Sequence, residues 1–418
     1  MRFRGAALPT VLVVFAALTL GACGGSDGAS GSTADLPTGD RLTVYSSLAL
    51  QGESRVQTLA IMQGIRLALH EAGGMAGGRR IRYVALDDSS AEEESWMPEL
   101  AAANARRAVL DPDAIAYIGE FESRASAVTI PILNAADLAQ VSPSNTYVGL
   151  TTAEPGSTKG EPDKYYPTGR RTFVRLVPRD TIQGAALVSQ LAGDGCSRPA
   201  LVHGDESYGA GLSRILEEQG RAAGITFVAD LSAGSRPLEL QSQARGLAKL
   251  GADCVVYTGL PGSVARGLLV AAAAALPAAR LYGSDGLCQP GFTDPSIGGL
   301  PAAVGARFRC TLPTVDLREI PGGAAFLDAF RARYGPADPD PYAVYGYEAM
   351  RLILDQISAG YTTRGSLTRS LLQVRGRRSV LGTYSVKRSG DTTLTDYGLY
   401  RVGSDGLPTF ERTIHQAP

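Results

Sequence analysis

The stretch RLTVYSSLALQGESRVQTLAIMQGIRLALHEAGG, residues 41–74, decides the fold class. Its beginning, Leu42–Tyr45, is a short aliphatic and β-branched run typical of a strand. Gln57–Ala72 then carries apolar residues at helical spacing and ends at Gly73-Gly74. A strand followed by an amphipathic helix is the repeating unit of a parallel sheet with helices on both faces.

The same alternation continues along most of the chain, with a break rich in Pro, Gly and charge at Gly149–Arg171. The further predicted strands are Ile81–Leu86, Ala114–Ile118, Leu138–Val141, Thr172–Val177, Ala200–Val202, Thr226–Ala229, Cys254–Tyr257, Leu281–Gly283, Arg307–Leu312 and Thr383–Lys387. The further predicted helices are Glu99–Leu110, Ser126–Ala136, one opening at Pro178–Thr181, Leu212–Gln219, Leu238–Leu250, Ser263–Ala275 and Tyr345–Ser358. We therefore predict an α/β protein of two doubly wound lobes with mainly parallel sheets.

The first residues have the anatomy of an export signal. A basic start precedes the uncharged run Ala6–Leu20, which is shorter than the roughly 20 residues that span a membrane. Leu20-Gly21-Ala22-Cys23 resembles the lipobox of bacterial lipoproteins, in which the cysteine is acylated. An ordinary signal peptide with a chance cysteine and an uncleaved anchor are the alternatives. We predict a signal peptide over 1–22, lipidation at Cys23, a flexible tether over 23–40, and a place on the extracytoplasmic face of the cell membrane.

Length and composition limit the function. With 418 residues, of which 44% are hydrophobic and 19% charged, the chain is long enough for two domains with large cores. The formal net charge is −1, and no basic block marks a nucleic-acid binder.

Four cysteines follow Cys23, and an even number in an oxidising compartment favours disulfides. Cys196 and Cys254 stand at the starts of two predicted strands, which would lie side by side as parallel neighbours. We therefore predict the bridges Cys196–Cys254 and Cys288–Cys310. Four free, buried thiols are the alternative.

Polar residues cluster on the loops that follow the predicted strands, where open α/β sheets bind ligands. These loops are Ser46–Gly52, Gly119–Ser126, Ser142–Thr146, His203–Gly209 and Gly283–Gly286. Hydroxyl groups beside a helix N-terminus suit a carboxylate, and Asp285 suits an ammonium group. Together they favour a receptor for a zwitterion such as an amino acid. The alternative is that these residues are only helix caps, turn residues and a loop acid.

Several motifs, in order over Leu42 to about Phe410, resemble one family. They are Tyr45–Leu48, Gly64–Leu69, Leu86–Ser89, Tyr117–Gly119, Ile130–Asn134, Val141–Thr146, Tyr165–Phe173 and Tyr208-Gly209. The chain resembles the type I periplasmic solute-binding proteins of branched-chain amino-acid ABC transporters. That resemblance implies three hinge crossings, a monomer, and an ABC permease with its ATPase as partners.

The resemblance also implies roles for individual residues. Ser123 and Thr146 would hold the ligand carboxylate, with backbone N–H groups near Ser144. Asp285 would meet the ammonium group, and Tyr208 would close over the ligand from the second lobe. No catalytic residue, metal or cofactor is expected.

Two departures from the family pattern concern the ligand. Leu260-Pro261 stands where leucine-binding relatives have an aromatic residue, and Ser123 is flanked by Glu122 and Arg124. Arg124 would reach a second carboxylate or amide of a longer ligand, or else it pairs with Glu122 at the surface.

The expected domain limits follow from three crossings near Thr172–Pro178, Arg307–Pro313 and Leu381–Ser385. Lobe 1 would comprise 41–176 with 314–381, and lobe 2 would comprise 177–313 with 382–418. Ligand binding is expected to close the lobes.

Two other functions fit an exported chain. A lipoprotein of the same fold could sense a ligand and signal to a membrane partner. An exported hydrolase would need a base, and His203 lies near Asp205 and Ser207, but no Gly-x-Ser-x-Gly elbow accompanies them. We therefore predict a binding protein rather than an enzyme.

Overall fold

The computed structural model describes residues 39–91 and 95–416. The predicted signal peptide, Cys23 and nearly all of the tether lie outside the described residues. The strands are β1 Arg41–Leu48, β2 Met75–Ala76, β3 Arg79–Asp87, β4 Ser89–Ser90, β5 Ser95–Trp96, β6 Ala114–Ile118, β7 Ala139–Ser142, β8 Phe173–Arg175, β9 Pro199–His203, β10 Asp230–Ser232, β11 Cys254–Thr258, β12 Arg280–Gly283, β13 Phe308–Leu312, β14 Arg377–Ser379, β15 Gly382–Tyr384, β16 Tyr397–Val402 and β17 Pro408–Ile414.

Helices connect most of these strands. They are α1 Arg55–Glu71, α2 Pro98–Leu110, α3 Ser123–Ala135, α4 Asp180–Gly193, α5 Ser207–Ala222, α6 Pro237–Lys249, α7 Ser263–Ala275, α8 Pro290–Thr293, α9 Ala302–Gly305, α10 Gly323–Tyr334, α11 Ala343–Ser358 and α12 Arg364–Leu372. Within the described ranges, none of them is both long and apolar enough to cross a membrane.

Two large sheets organise the fold. The first has the strand order β2-β3-β1-β6-β7-β8 and is parallel except for the β2–β3 pair. The second has the order β10-β9-β11-β12-β13-β16-β17 and is parallel from β10 to β13, while β16 and β17 are antiparallel. The central strands are buried along their whole length, as expected for sheets covered on both faces. The predicted fold class is confirmed.

The chain passes between the two sheets three times. It leaves the first sheet after β8, returns after β13 to add α10, α11 and α12, and leaves again between β15 and β16. This third crossing comes later than the predicted Leu381–Ser385, because the segment after β15 stays bound to the first sheet. There the amide N–H of Arg175 donates to the Gly390 carbonyl, with an N···O distance of 3.0 Å.

Helix α11 returns to pack extensively against α1. Gly64 of α1 and Gly346 of α11 make this approach possible. A Cβ atom at Gly64 would collide with the Ala343 carbonyl oxygen, and one at Gly346 with the Ile61 carbonyl oxygen. The packing places the residue preceding α11, Tyr342, close to the carboxyl ends of the strands.

Some predicted elements differ from the observed ones. The predicted strand Thr226–Ala229 becomes regular only at Asp230–Ser232, although the Val228 amide already donates to Pro199 O at 2.8 Å. The strand predicted at Thr383–Lys387 is the short β15, paired with β14.

Both pairs of cysteines are bridged in the structure. Cys196 and Cys254 form one disulfide and Cys288 and Cys310 form the other. The first joins the starts of neighbouring parallel strands, since Cys254 stands opposite Pro199 in the register of β11 and β9.

Candidate functional site

A cavity lies where the carboxyl ends of the two sheets face each other. Its lining residues are Phe121, Glu122, Ser123, Arg124, Ser144, Thr146, Tyr208, Leu260, Asp285, Gly286 and Tyr342. They come from loops after β6, β7, β9, β11 and β12 and from the start of α11. All the loops concerned are strand ends, the part of an open α/β sheet that binds ligands.

The five residues proposed from the sequence all line this cavity. Ser123 starts α3 after β6, and Ser144 and Thr146 follow β7, so these three lie at strand ends of the first sheet. Tyr208 lies in the first turn of α5 after β9, and Asp285 follows β12, so these two belong to the second sheet. The structure thus brings residues more than a hundred positions apart to one site between the sheets.

The cavity is small in this state of the molecule. Its volume is about 30 Å³, room for about one or two water molecules. An organic solute can therefore enter only if the two walls move apart.

A larger groove of about 630 Å³ lies between α6 and α7. Leu240, Val264 and Val270 contribute to its mainly apolar lining. It lies away from the strand ends, and none of the five proposed site residues lines it. We therefore place the candidate site at the smaller cavity, where polar groups converge.

The first wall provides hydrogen-bond donors for an anion. The first turn of α3 begins at Ser123, and N–H groups there lack acceptors within the helix. The hydroxyl of Ser144 is already engaged, since it donates to the Phe121 carbonyl at 2.9 Å. The N–H groups of Ser144 and Asn145 point to Ser142 Oγ at 3.3 and 3.0 Å. The free donors of this wall are therefore those at α3 rather than those around Ser144.

On the second wall, Asp285 is held by two donors. Tyr208 donates its phenol hydrogen to Oδ1, and Gln183 Nε2 donates to the same oxygen at 2.8 Å. Burial raises the pKa of Asp285, although the bonds from Tyr208 and Gln183 oppose that effect. Gln183 also donates to Thr311 Oγ1 at 3.0 Å. The carboxylate is thus fixed in place at the edge of the cavity.

A second carboxyl group, Asp180, lies behind Asp285. It is fully buried, and neither of its oxygens has a hydrogen bond of good geometry. Its amide N–H donates to the Thr146 carbonyl at 2.9 Å. Burial and then the charge of Asp285 raise its pKa well above the usual value, while the Thr146 side chain lowers it. Asp180 therefore favours the protonated form.

Glu122 is the third carboxyl group at the cavity. Burial and then the negative charges of Asp88, Asp285 and Glu206 raise its pKa to about 8, against the opposing effect of Arg124. The surface pair of Glu122 and Arg124 considered above is not found, since no ion pair joins these two described residues. Arg124 instead places its guanidinium carbon 5.7 Å from the ring centre of Trp96, a cation–π contact.

An aromatic pair forms the apolar part of the lining. The rings of Phe121 and Tyr342 meet edge to face, with their centres 5.6 Å apart. Sequence reasoning missed Tyr342, which comes from the distant segment before α11. Leu260, noted above as replacing an aromatic residue, also lines the cavity, and its amide donates to Glu206 Oε1 at 3.2 Å.

Gly286 allows close packing of the second wall. A Cβ atom at this position would lie 2.6 Å from the Gly259 carbonyl oxygen. Any larger residue would push the loop after β12 away from the loop after β11, and would move Asp285 with it.

Two features proposed from the sequence lie elsewhere. The loop Ser46–Gly52 does not line the cavity, because Ser46 and Ser47 are part of β1 and Ser46 Oγ bonds to Tyr83 OH at 2.7 Å. His203 does not line the cavity; its Nδ1 lies 2.6 Å from the Gly204 carbonyl oxygen and its Nε2 lies 4.0 Å from Asp230 Oδ1.

Sequence comparison identifies related proteins over most of the chain. A family model described as periplasmic binding protein matches residues 48–407. The Leu/Ile/Val-binding protein homolog 8 of Brucella suis biovar 1 is 24% identical over 355 residues, which are 82% of this chain and 81% of that protein. The homolog of the same name from Brucella abortus strain 2308 is 24% identical over 340 residues, or 78% and 77% of the two chains.

Solved structures share the fold. LivJ of Streptococcus pneumoniae, in complex with isoleucine, has a TM-score of 0.73 at 19% identity and covers 90% of this chain and 100% of that one. A solute-binding protein of Rhodopseudomonas palustris HaA2, in complex with p-hydroxybenzoic acid, has a TM-score of 0.72 at 17% identity, covering 90% and 98%.

Proposed function

The chain belongs to the periplasmic binding protein family, and from this we propose that it binds an amino acid or related small solute and delivers it to an ABC importer. Members of this family bind solutes and are not enzymes, so the chain is a binding protein rather than an enzyme. The family also implies an extracytoplasmic location.

One observation carries the proposal. Ser123 and Thr146 from the first sheet and Tyr208 and Asp285 from the second line a single cavity. The N–H donors at the start of α3 would then meet a carboxylate, and Asp285 would meet an ammonium group, across the gap between the sheets. A zwitterion would join the two walls, so its binding would stabilise the closed state.

Asp285 favours an amino acid over a simple aromatic acid. The related solved structures include complexes with isoleucine and with p-hydroxybenzoic acid, and both compounds have a carboxylate. Only isoleucine has an ammonium group. A solute without a cation would bring its charge close to Asp285 and gain nothing from it.

We further propose that the protein is a monomer attached to the membrane through a lipid on Cys23. The expected lobes, 41–176 with 314–381 and 177–313 with 382–418, would keep their first two limits, and the third limit would move beyond Gly390, which is hydrogen-bonded to Arg175 of β8. The lobes would open and close about the three crossings, which fits a cavity of about 30 Å³ that admits a solute only when its walls separate.

Calorimetry with amino acids, amides and small carboxylates tests the proposal. Asp285→Ala should weaken binding of the true ligand by at least about 2 kcal/mol, roughly 30-fold, because the ligand ammonium loses its partner in a dry cleft. Asp285→Asn, which keeps an acceptor for Tyr208 and Gln183, should weaken it similarly. Ser123→Ala should cost only about 1 kcal/mol, the value of one neutral hydrogen bond.

Ser232→Ala, on the distant strand β10, is the matched control for the serine variant and should bind as the parent does. Unchanged affinity in both Asp285 variants would show that the ligand is not an amine held at this site.

A further inference from the structure

Glu122 is the group at the cavity that the proposed function leaves without a role. We infer that the solute carries a second cationic group on its side chain, which pairs with Glu122 while Asp285 holds the α-ammonium group. The ligand class is then an amino acid with an ammonium or guanidinium side chain. This inference rests on the proposed function and specifies its substrate.

A capping role does not account for Glu122. Glu122 lines the cavity and Glu206 lies near enough to influence its charge; both are helix N-caps, and they behave differently. Glu206, the N-cap of α5, is buried, and its Oε1 accepts from the N–H groups of Gly209 and Leu260, both at 3.2 Å. Glu122, the N-cap of α3, accepts no capping hydrogen bond from its helix. Its carboxylate has no hydrogen bond or ion pair with any residue that the structure describes.

The cavity lining is acidic in its charge balance. Glu122 and Asp285 are its acidic members, and Arg124 is its basic member. Arg124 is largely exposed and lies over the ring of Trp96, and although its charge lowers the pKa of Glu122, no ion pair joins these two described residues. A solute with equal positive and negative charge would satisfy Asp285 and leave Glu122 without a partner.

The groups behind the walls strengthen this imbalance. Asp180 is fully buried next to Asp285. Asp88, which follows β3 and is 1% exposed, carries a negative charge that raises the pKa of Glu122. Glu122 itself is partly buried, and a carboxyl group among like charges favours its protonated form until a cation approaches. A cationic solute would therefore supply positive charge where the protein otherwise holds a proton.

Binding should then exchange a proton for the cation. The proton leaves the carboxyl group of Glu122 for the solvent, and the resulting carboxylate pairs with the side-chain cation of the solute. The pKa of Glu122 is raised to about 8, so near neutral pH the group starts protonated. The exchange predicts proton release on binding, and an affinity for the cation that rises with pH up to about 8.

Matched ligand pairs test the inference. L-lysine and L-norleucine have side chains of similar length and differ by the terminal ammonium group, whereas L-arginine and L-citrulline differ by a guanidinium against a urea. Calorimetry should give at least about tenfold tighter binding for the cation of one pair than for its neutral partner. When the calorimetry is repeated in buffers of different ionisation enthalpy, binding of the cationic ligand should be accompanied by proton release, and binding of its neutral partner should not.

Glu122→Gln should reduce that preference to less than about threefold while leaving the affinity for the neutral partner unchanged or higher. Glu218→Gln, on the exposed face of α5, is the matched control and should keep the full preference. The thermal midpoint reports folding of each variant, and we expect no large change for Glu122→Gln, since its carboxylate has no described partner to lose.

The outcomes separate this inference from the proposed function. One outcome is that norleucine binds as tightly as lysine, and citrulline as tightly as arginine, while Asp285→Ala weakens the binding of all four. In that case the inference of a second cationic group is wrong and the proposed amino-acid site stands. An undiminished preference in Glu122→Gln also rejects the inference. If no amino acid binds while a carboxylate without an amine does, both are wrong.

Discussion

Arg175 Nε lies 2.9 Å from Asp391 Oδ1, and both side chains are buried where the first and third crossings meet. Thr151 Oγ1 also donates to Asp391 Oδ1 at 2.9 Å, and Arg175 Nη1 donates to the Asn145 carbonyl at 3.1 Å. The pair therefore connects β8 and the segment between β15 and β16 to the loop that carries Thr146.

Asp391→Ala should lower the free energy of unfolding by about 3–5 kcal/mol, because it leaves the buried Arg175 without its partner. Asp163→Ala is the control. It removes a surface partner of Arg171, at 3.3 Å with a 91% exposed aspartate side chain, and should cost no more than about 1 kcal/mol. Urea denaturation measures both values, and equal losses would show that the buried pair has no special importance.

The same pair makes stability depend on pH. Burial raises the pKa of Asp391, but Arg175 together with Ser389, Arg179 and Thr151 holds it below the usual value. A depressed carboxyl pKa contributes stability above the pKa of the unfolded chain, about 4, and loses it as the pH falls through the folded value. The difference between the parent and Asp391→Ala should therefore shrink when denaturation is repeated below about pH 4.

Trp96 should report solute binding. It is the single tryptophan of the chain, and Arg124 from the cavity lies over its ring. A solute that moves the first turn of α3 changes the distance between the guanidinium and the indole, and with it the tryptophan emission. Saturation with a ligand identified by calorimetry should shift the spectrum. A spectrum that does not respond to such a ligand would mean that Arg124 and Trp96 keep their contact during binding.

The two disulfides should contribute unequally. Cys196–Cys254 spans 58 residues and Cys288–Cys310 spans 22, so the chain-entropy model gives about 4 and about 3 kcal/mol respectively. Replacing the first pair by alanine should therefore destabilise the protein more than replacing the second. Peptide mapping without reduction provides the prior check, since free thiols or crossed pairs would refute both assignments.

Cys23→Ser should release the protein from the membrane. The serine has no thiol to acylate, so the chain should appear in the soluble fraction or remain as a larger precursor. Fractionation and gel mobility measure the two results. Unchanged membrane association together with unchanged mobility would contradict lipid attachment at Cys23.

Periodicity predicted the strands and helices that alternate, because each buries one regular apolar face. It missed β16 and β17, where charged residues such as Arg401, Glu411 and Arg412 interrupt the apolar pattern at the antiparallel edge. Helix α12 was missed as well, since its short sequence has little apolar character.

The part of the candidate site that lies on loops after strands was predictable from the sequence. Ser123, Ser144, Thr146, Tyr208 and Asp285 all stand on such loops, so fold class alone brings them together. Tyr342 was not predictable in this way, because the packing of α11 on α1 places it there. The pKa of Glu122 depends on burial and on the charges of Asp88, Glu206 and Asp285 from three other loops, and no local pattern shows those.

Strands β16 and β17 have a consequence for how the protein folds. Every residue that lines the cavity precedes β16, yet β13 gains its second neighbour only when β16 docks. Until then β13 presents a row of unpaired backbone groups that can pair with a strand of another chain. A folding chain can therefore assemble every residue of the cavity before its second sheet is finished, and docking of β16 ends the exposure of that sheet edge.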